Sequence, residues 1–316
     1  MERTFTYLIT NEQAGQTVEA FLRALGYSKG ILIHLRRTPV GISIGGSQVY
    51  TTHRLEEGEL LSIRLREETT SPHIVPTAME LSIVYEDQDL MVIDKPADTP
   101  IHPSQGNFDN TLANGIAWYF QQKNQPFVYR AVNRLDRDTT GLLIIAKHML
   151  SAALLSSMVK ERQIKRTYLA IAQGKIPEEG TITAPIGRVD GSTIERQVDP
   201  VNGDPACTHF KRLLYQPETD CSLVRLQLET GRTHQIRVHL KSIGHPLPGD
   251  FLYHPDYRLI SRQALHSFRL EFTHPITGSP MKLEAPLPRD MRFILDDTAR
   301  AGHVRWADAD PWGNDS

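Results

Sequence analysis

Apolar and polar positions along the chain change their period several times, and each change marks an element. Val18, Phe21, Leu22 and Leu25 recur at i, i+3, i+4 and i+7, one face of a helix, and Gly26 follows as a stop. Ser28 can cap a second helix that runs to about Arg37, before Pro39. GISIGGSQVY and LLSIRL then alternate like short strands. The stretch 66–80, REETTSPHIVPTAME, is polar, carries two prolines and has no period. It reads as a linker between a small N-terminal unit, 1–75, and a larger body, 76–296.

The body opens with LSIVYEDQDLMVIDKP, two β-rich apolar runs around the acidic turn EDQD, a hairpin pattern. DNTLANGIAWYF predicts a helix capped by Asp109 or Asn110. GLLIIAK reads as a buried strand opened by a glycine, SAALLSSMVKE as a helix and TYLAIAQG as a strand. Residues 184–209 are rich in Gly, Pro and charge and read as an extended loop or mobile hairpin. SLVRLQLETGRTHQIRVHLKSIG supplies a strand, a Gly turn, and then a strand or a helix. Many strands and few long helices predict an α+β fold with a mixed, largely antiparallel sheet.

Length changes this picture little: 316 residues favour about two domains, and 40% hydrophobic residues suffice for a packed core. The start, MERTFTYLITNEQ, lacks the apolar core of a signal peptide, and no apolar run approaches a membrane span. Two cysteines, Cys207 and Cys221, build no disulfide framework and leave room for one bridge at most. The expectation is a cytoplasmic, reduced protein with no membrane partner. The formal net charge of −2 argues against coating nucleic acid non-specifically. Local charge matters more than the total, because the acidic tail within 297–316 lowers the sum and reads as frayed. Lys29 and Arg36 share a face of the second predicted helix, with Arg37 beside them. That face is either a solvated surface or an RNA-binding one.

The candidate chemistry concentrates in two stretches. In NRLDRDTTGLLIIAK, 133–147, Asp136 sits among arginines in a turn that ends at Gly141. A neighbouring positive charge keeps a carboxylate ionised, available as nucleophile or base, or simply ties it into the turn. In ETGRTHQIRVHL, 229–240, a strand would place Thr233, Gln235, Arg237 and His239 on one face. Arg237, flanked by Ile236 and Val238, needs a partner if buried, and Asp136 is a candidate. His234, His239, His245 and His254 have no metal-site spacing and neither cysteine lies in a C-x-x-C pair, so no metal is expected. Gly-rich nucleotide loops and nucleophile elbows are absent from the sequence, so no nucleotide cofactor is expected.

NRLDRDTTGLLIIAK, KRTYLAI and TGRTHQIRVHL, in this order, resemble the RluA-type pseudouridine synthases. The resemblance continues through VYEDQDLMVIDKPADTPIHP before them and RQALHSFRLEFTHPITG after them, covering about 80–290. It implies the pseudouridine synthase fold and isomerisation of uridine within RNA. The C1′–N1 bond breaks, the uracil turns while bound, and C5 joins C1′, with no cofactor. The resemblance assigns Asp136 as the catalytic aspartate, acting by addition or by sugar deprotonation. It assigns Tyr168 to pack on the uracil and Arg237 to pair with the catalytic carboxylate. Arg134 takes the position that fills the gap left by a flipped base. Asp138 is a rival carboxylate, which the register of RLD sets aside. Arg232, His234 and Gln235 either meet RNA or fix the turn.

Many members carry an S-four-like RNA-binding domain in front, which turns Lys29, Arg36 and Arg37 into expected RNA contacts. The implied partner is structured RNA, ribosomal or transfer, with large-subunit ribosomal RNA first. The alternative is a non-catalytic RNA-binding or ribosome-assembly factor on the same fold. Two positions depart from the family pattern. Asn133 stands where histidine is common, and Asp98 where glycine is common. A glycine there would tolerate a positive φ that aspartate adopts less readily.

Overall fold

The structure is a computed structural model that describes residues 1–295, so the acidic tail lies outside the described residues. In chain order the elements are β1 (Glu2–Leu8), α1 (Val18–Ala24), α2 (Lys29–Arg37), β2 (Ile42–Ile44), β3 (Ser47–Gln48) and β4 (Leu60–Arg66). Then come β5 (Ser82–Glu86), β6 (Leu90–Lys95), α3 (Leu112–Gln122), β7 (Thr140–Ala146) and α4 (Met149–Lys160). Next are β8 (Lys165–Gln173), β9 (Glu179–Thr183), β10 (Ile186–Arg188), β11 (Arg196–Val198), β12 (Cys207–Gln216) and β13 (Cys221–Leu228). The last are α5 (Gln235–Ser242), β14 (Leu265–Thr273), β15 (Pro280–Glu284) and α6 (Arg289–Ile294). Two compact units share them. Among the described residues, the first holds 1–137, 141–164 and 270–283, and the second holds 138–140, 165–269 and 284–295.

In the first unit, β1, β4, β2 and β3 form a four-stranded sheet in that order. The Thr17 side chain caps α1 and Ser28 caps α2, each accepting from the third amide beyond it. Val18, Phe21 and Leu22 are buried as the period requires, but Leu25 is 37% exposed. The reason is that α1 ends at Ala24, so Leu25 caps the helix and leaves its stripe. The core of these elements also includes Leu150 of α4, with Met149 and Ala153 packed against it. The polar stretch after β4 is tied to other elements of this unit. Its first residue, Glu67, is buried, pairs with Arg130 and accepts from the Met149 amide. Asp89 joins Arg3 of β1 to His148 at 2.8 and 2.9 Å. Burial alone would raise its carboxyl, yet the bonds from His148 and Arg3 hold it down at about 2.

The same unit contains the expected hairpin, β5 against β6, followed by antiparallel β7, with Lys95 opposite Gly141. Every residue of β7 is buried, as its unbroken apolar run requires. The cap of α3 is Thr111, not Asp109 or Asn110. Thr111 wins because Asn114 reciprocates: the Thr111 amide donates to its Oδ1 at 3.0 Å and the Asn114 amide donates to Thr111 Oγ1 at 3.4 Å.

In the second unit the strand order is β14-β8-β13-β12-β9, with β8, β13, β12 and β9 antiparallel. The loop or hairpin read at 184–209 contains a short hairpin, β10 against β11. Of the strand and the helix left open after the Gly turn, the helix is what forms, Gln235–Ser242, helix α5, so the shared strand face of Thr233, Gln235, Arg237 and His239 does not exist. All residues from Gln235 to Leu240 are buried, so no polar face marks the helical period. Among the described residues, no helix is long and apolar enough to cross a membrane.

Candidate active site

Asp136 belongs to the first unit, on a turn whose backbone is pinned from several sides. Val132 donates to Ile144 O and Ala146 donates to Arg130 O, so the chain approaches the turn along β7. Asn133 Oδ1 then accepts from the Ile144 amide at 2.9 Å, and Leu135 is buried. Beyond the aspartate, the Arg137 carbonyl accepts from the Thr99 amide and from Lys95 Nζ, at 3.2 and 2.7 Å. Lys95 is fully buried and also donates to Pro96 O and Thr99 O. Its three protons thus clamp the KPADTP loop to the turn. A buried ammonium with carbonyl partners is a costly group retained for the geometry it fixes. Asp136 itself is half-buried.

The two departures have structural accounts. Asp98 sits at φ 50°, the left-handed region that favours glycine, and its carboxylate pairs with Arg137 at 3.4 Å. Aspartate is among the few side chains that tolerate this region. Asn133 supplies the acceptor for Ile144, while its buried Nδ2 makes no hydrogen bond within the structure. Arg134 is exposed. Burial, with the Arg134 charge second, lowers the His102 imidazole, and the His102 ring stands edge-on to Tyr129 at 5.2 Å.

Residues 138–140, which follow the turn, belong to the second unit and are held there by polar groups. Arg262 donates to Asp138 O at 3.2 Å and is itself paired with Asp290 at 2.7 Å. Gln263 donates to Thr139 Oγ1, and Thr140 Oγ1 lies 2.9 Å from His266 Nδ1. His266 Nε2 lies 3.2 Å from Ala285 O, so this nitrogen carries the proton and Nδ1 accepts from Thr140. Burial pushes the imidazole down to about 4. The unfolded chain takes up this proton near pH ~6.5 and the folded chain only near 4. The contribution is therefore complete above about pH 6.5 and lost as pH falls toward 4. At about 1.4 kcal/mol per unit, the expected loss is about 3 kcal/mol. Urea unfolding across this window measures it, and His266→Gln, which has no proton to gain, is expected to flatten the slope.

Tyr168 and Arg237 also belong to the second unit. Tyr168 is buried on β8, opposite Leu226 of β13. Arg237 is 1% exposed on α5 and donates from Nε and Nη2 to both Asp250 oxygens, at 2.7 Å each. Its guanidinium lies 4.9 Å from the Tyr253 ring centre. Asp250 Oδ1 also accepts from the Leu252 and Tyr253 amides. The turn before Asp250 needs Gly249, at φ 72°, where a Cβ would meet Arg262 O at 2.2 Å.

The turn into α5 gives its three polar residues different parts. Gln235 is 3% exposed and fully engaged. Its Oε1 accepts from Thr230 Oγ1 and the Arg232 amide, and its Nε2 donates to Cys207 O and Thr208 Oγ1. These four bonds use the side-chain amide in fixing the turn. His234 caps the helix at φ 58°, and its Nδ1 lies 2.9 Å from Tyr253 Oη. A non-glycine residue in that region is a local strain of the kind that collects at working sites. Arg232 is exposed, near Asp204 at 3.5 Å. Lys95, Asp250, Arg262 and His266 were not singled out by sequence, since only their distant partners show what they do.

Comparison with known proteins identifies the family of the chain. Residues 89–242 match the family described as RNA pseudouridylate synthase. The chain is 41% identical over 294 residues to the "Uncharacterized RNA pseudouridine synthase YhcT" of Bacillus subtilis (strain 168), spanning 92% of this chain and 96% of that one. It is 36% identical over 301 residues to the ribosomal large subunit pseudouridine synthase D of Neisseria meningitidis serogroup A / serotype 4A (strain DSM 15465 / Z2491), spanning 86% and 76%. The solved structure of human RNA pseudouridylate synthase domain containing 1 is similar with a TM-score of 0.56 at 29% identity, over 66% of this chain and 83% of that one. The chain belongs to the RluA-type family of RNA pseudouridine synthases and is an isomerase that converts uridine in RNA to pseudouridine.

Proposed function

We propose that this isomerase acts on large-subunit ribosomal RNA with Asp136 as its essential carboxylate. The observation that carries the assignment is the clamped turn: Lys95, Asn133 and Leu135 fix the backbone on both sides of a half-buried aspartate. A carboxylate so held needs little reorganisation to meet C1′ or a sugar proton. Tyr168 supplies an aromatic face for the uracil, worth roughly 1–3 kcal/mol as a stacking platform. Arg237 supplies fixed positive charge, and Arg134 a planar cation to occupy the space of the flipped base. Arg232 and His234 meet the RNA backbone. The choice of RNA follows relatives named for the large ribosomal subunit, those of Neisseria and Nitrosomonas among them.

Residues 1–75 act as an S-four-like RNA-binding domain and 76–296 as the catalytic domain. Lys29, Arg36 and Arg37 are exposed on α2, with Arg36 3.6 Å from Glu19. Replacing all three by Ala is expected to weaken RNA affinity and lower the slope of log affinity against log salt by about 2–3. Unchanged affinity and slope would remove this face from the interface. Tritium release from transcripts labelled at uracil C5 tests the substrate. Release from large-subunit RNA and not from transfer RNA is expected, and the reverse pattern would reassign it.

A further inference from the structure

One open face of the second unit carries a side-chain cluster that isomerisation does not use. Cys207 and His209 lie two apart on β12 and so project to the same side. The Glu229 amide donates to Cys207 O at 3.2 Å, which sets Glu229 across from the cysteine just beyond β13. On the other flank, β9 places Thr183 opposite Cys207 and Thr181 opposite His209. Cys207 Sγ lies 3.8 Å from His209 Nε2 and 3.4 Å from Glu229 Oε1, and those two atoms are 2.8 Å apart. A tetrahedral zinc ion, with bonds of about 2.3 Å to sulfur and about 2.0–2.2 Å to nitrogen and oxygen, needs ligand separations of about 3.3–3.6 Å. Shifts of a few tenths of an ångström on exposed side chains reach that geometry.

The surroundings fit a cation site better than a surface pair. A His–Glu pair this exposed contributes little stability and gives no reason for a thiol against the same carboxylate oxygen. The second ring nitrogen, His209 Nδ1, lies 2.9 Å from Thr181 Oγ1, the outer partner that orients a ligating imidazole. The backbone is fixed before any ion arrives: the Cys207 amide donates to Thr230 Oγ1, and its carbonyl accepts from Gln235. Sequence spacing hides the set, because the third ligand comes from the neighbouring strand.

We propose that Cys207, His209 and Glu229 form a binding site for one thiophilic divalent cation per chain, with solvent in the fourth position. Binding releases the thiol proton and moves the imidazole proton to Nδ1, where Thr181 accepts it, so affinity rises with pH. The ion also anchors Glu229, from which the turn carrying Arg232 and His234 departs.

Zinc is the probe, titrated into the full chain against a chromophoric chelator, with cobalt(II) absorption as the second measurement. The expected result is one zinc per chain with Kd of about 1 µM or tighter. Cys207→Ser and His209→Ala are each expected to weaken it by about 100-fold or more, and Thr181→Val by about 10-fold. The unaltered chain should show a thiolate-to-cobalt charge-transfer band that Cys207→Ser removes. Zinc binding weaker than about 100 µM, equal binding by the Cys207→Ser chain, or cobalt binding without that band would each overturn the site.

Discussion

Asp136→Asn is expected to lower pseudouridine formation by about 10⁴-fold or more while RNA affinity stays within a few-fold. The amide keeps the shape of the carboxylate and loses both its charge and its basicity. It can neither add to the nucleotide nor take a proton from the sugar, so the prediction holds for either mechanism. The fold should survive, because the turn is held by groups other than this side chain. Lys95 and Thr99 fix the Arg137 carbonyl, Asn133 fixes the approach along β7, and Leu135 is buried. Tritium released from C5-labelled RNA reads the chemistry directly, since a hydrogen must leave C5 when it joins C1′. A filter-binding titration on the same RNA reads affinity. Retained release would move the chemistry to another carboxylate, with Asp138 the nearest in sequence. Lost release together with lost binding would make Asp136 a determinant of the RNA surface instead.

How much of this was legible in the sequence depends on how local the cause was. The β5–β6 hairpin, the buried apolar run of β7 and the Ser28 cap of α2 rest on interactions within a few residues, and local pattern found them. The α3 cap was misplaced by one or two residues because three neighbouring polar residues compete, and only the Asn114 return bond favours Thr111. Helix α5 was open to a strand reading because burial all round erases the polar stripe that would have fixed its period. The packing of Leu150 against the N-terminal elements links residues far apart in sequence and left no local signal. Asp98 was different: a single position where glycine was expected pointed to positive φ, and the backbone has it. Side chains whose meaning lies in one distant partner left no trace. Lys95 is tied to the turn through the Arg137 carbonyl, 42 residues further along the chain.

Asp250 belongs to that last class, and breaking its pair with Arg237 is the largest stability effect expected. Asp250→Ala takes the bidentate carboxylate from a guanidinium that is 1% exposed and removes the acceptor for the Leu252 and Tyr253 amides. Deleting one partner of a buried pair typically costs about 3–5 kcal/mol, because the remaining charge keeps its desolvation penalty and loses its compensation. Chemical denaturation should show that loss as a lower midpoint at unchanged slope. Removing the charges together has a different consequence. In Arg237→Met/Asp250→Leu both charges of this pair are gone, and most of the lost stability should return. Turnover then separates two roles that stability alone confounds. If Arg237 only stiffens α5 against the 249–253 turn, the double variant should recover activity along with its fold. The proposed role of Arg237 requires the guanidinium itself. The expected result is therefore a chain that folds about as well as the parent, binds RNA, and still releases little tritium. Recovery of both would make the arginine a structural clamp, and the positive charge serving Asp136 would have to come from elsewhere.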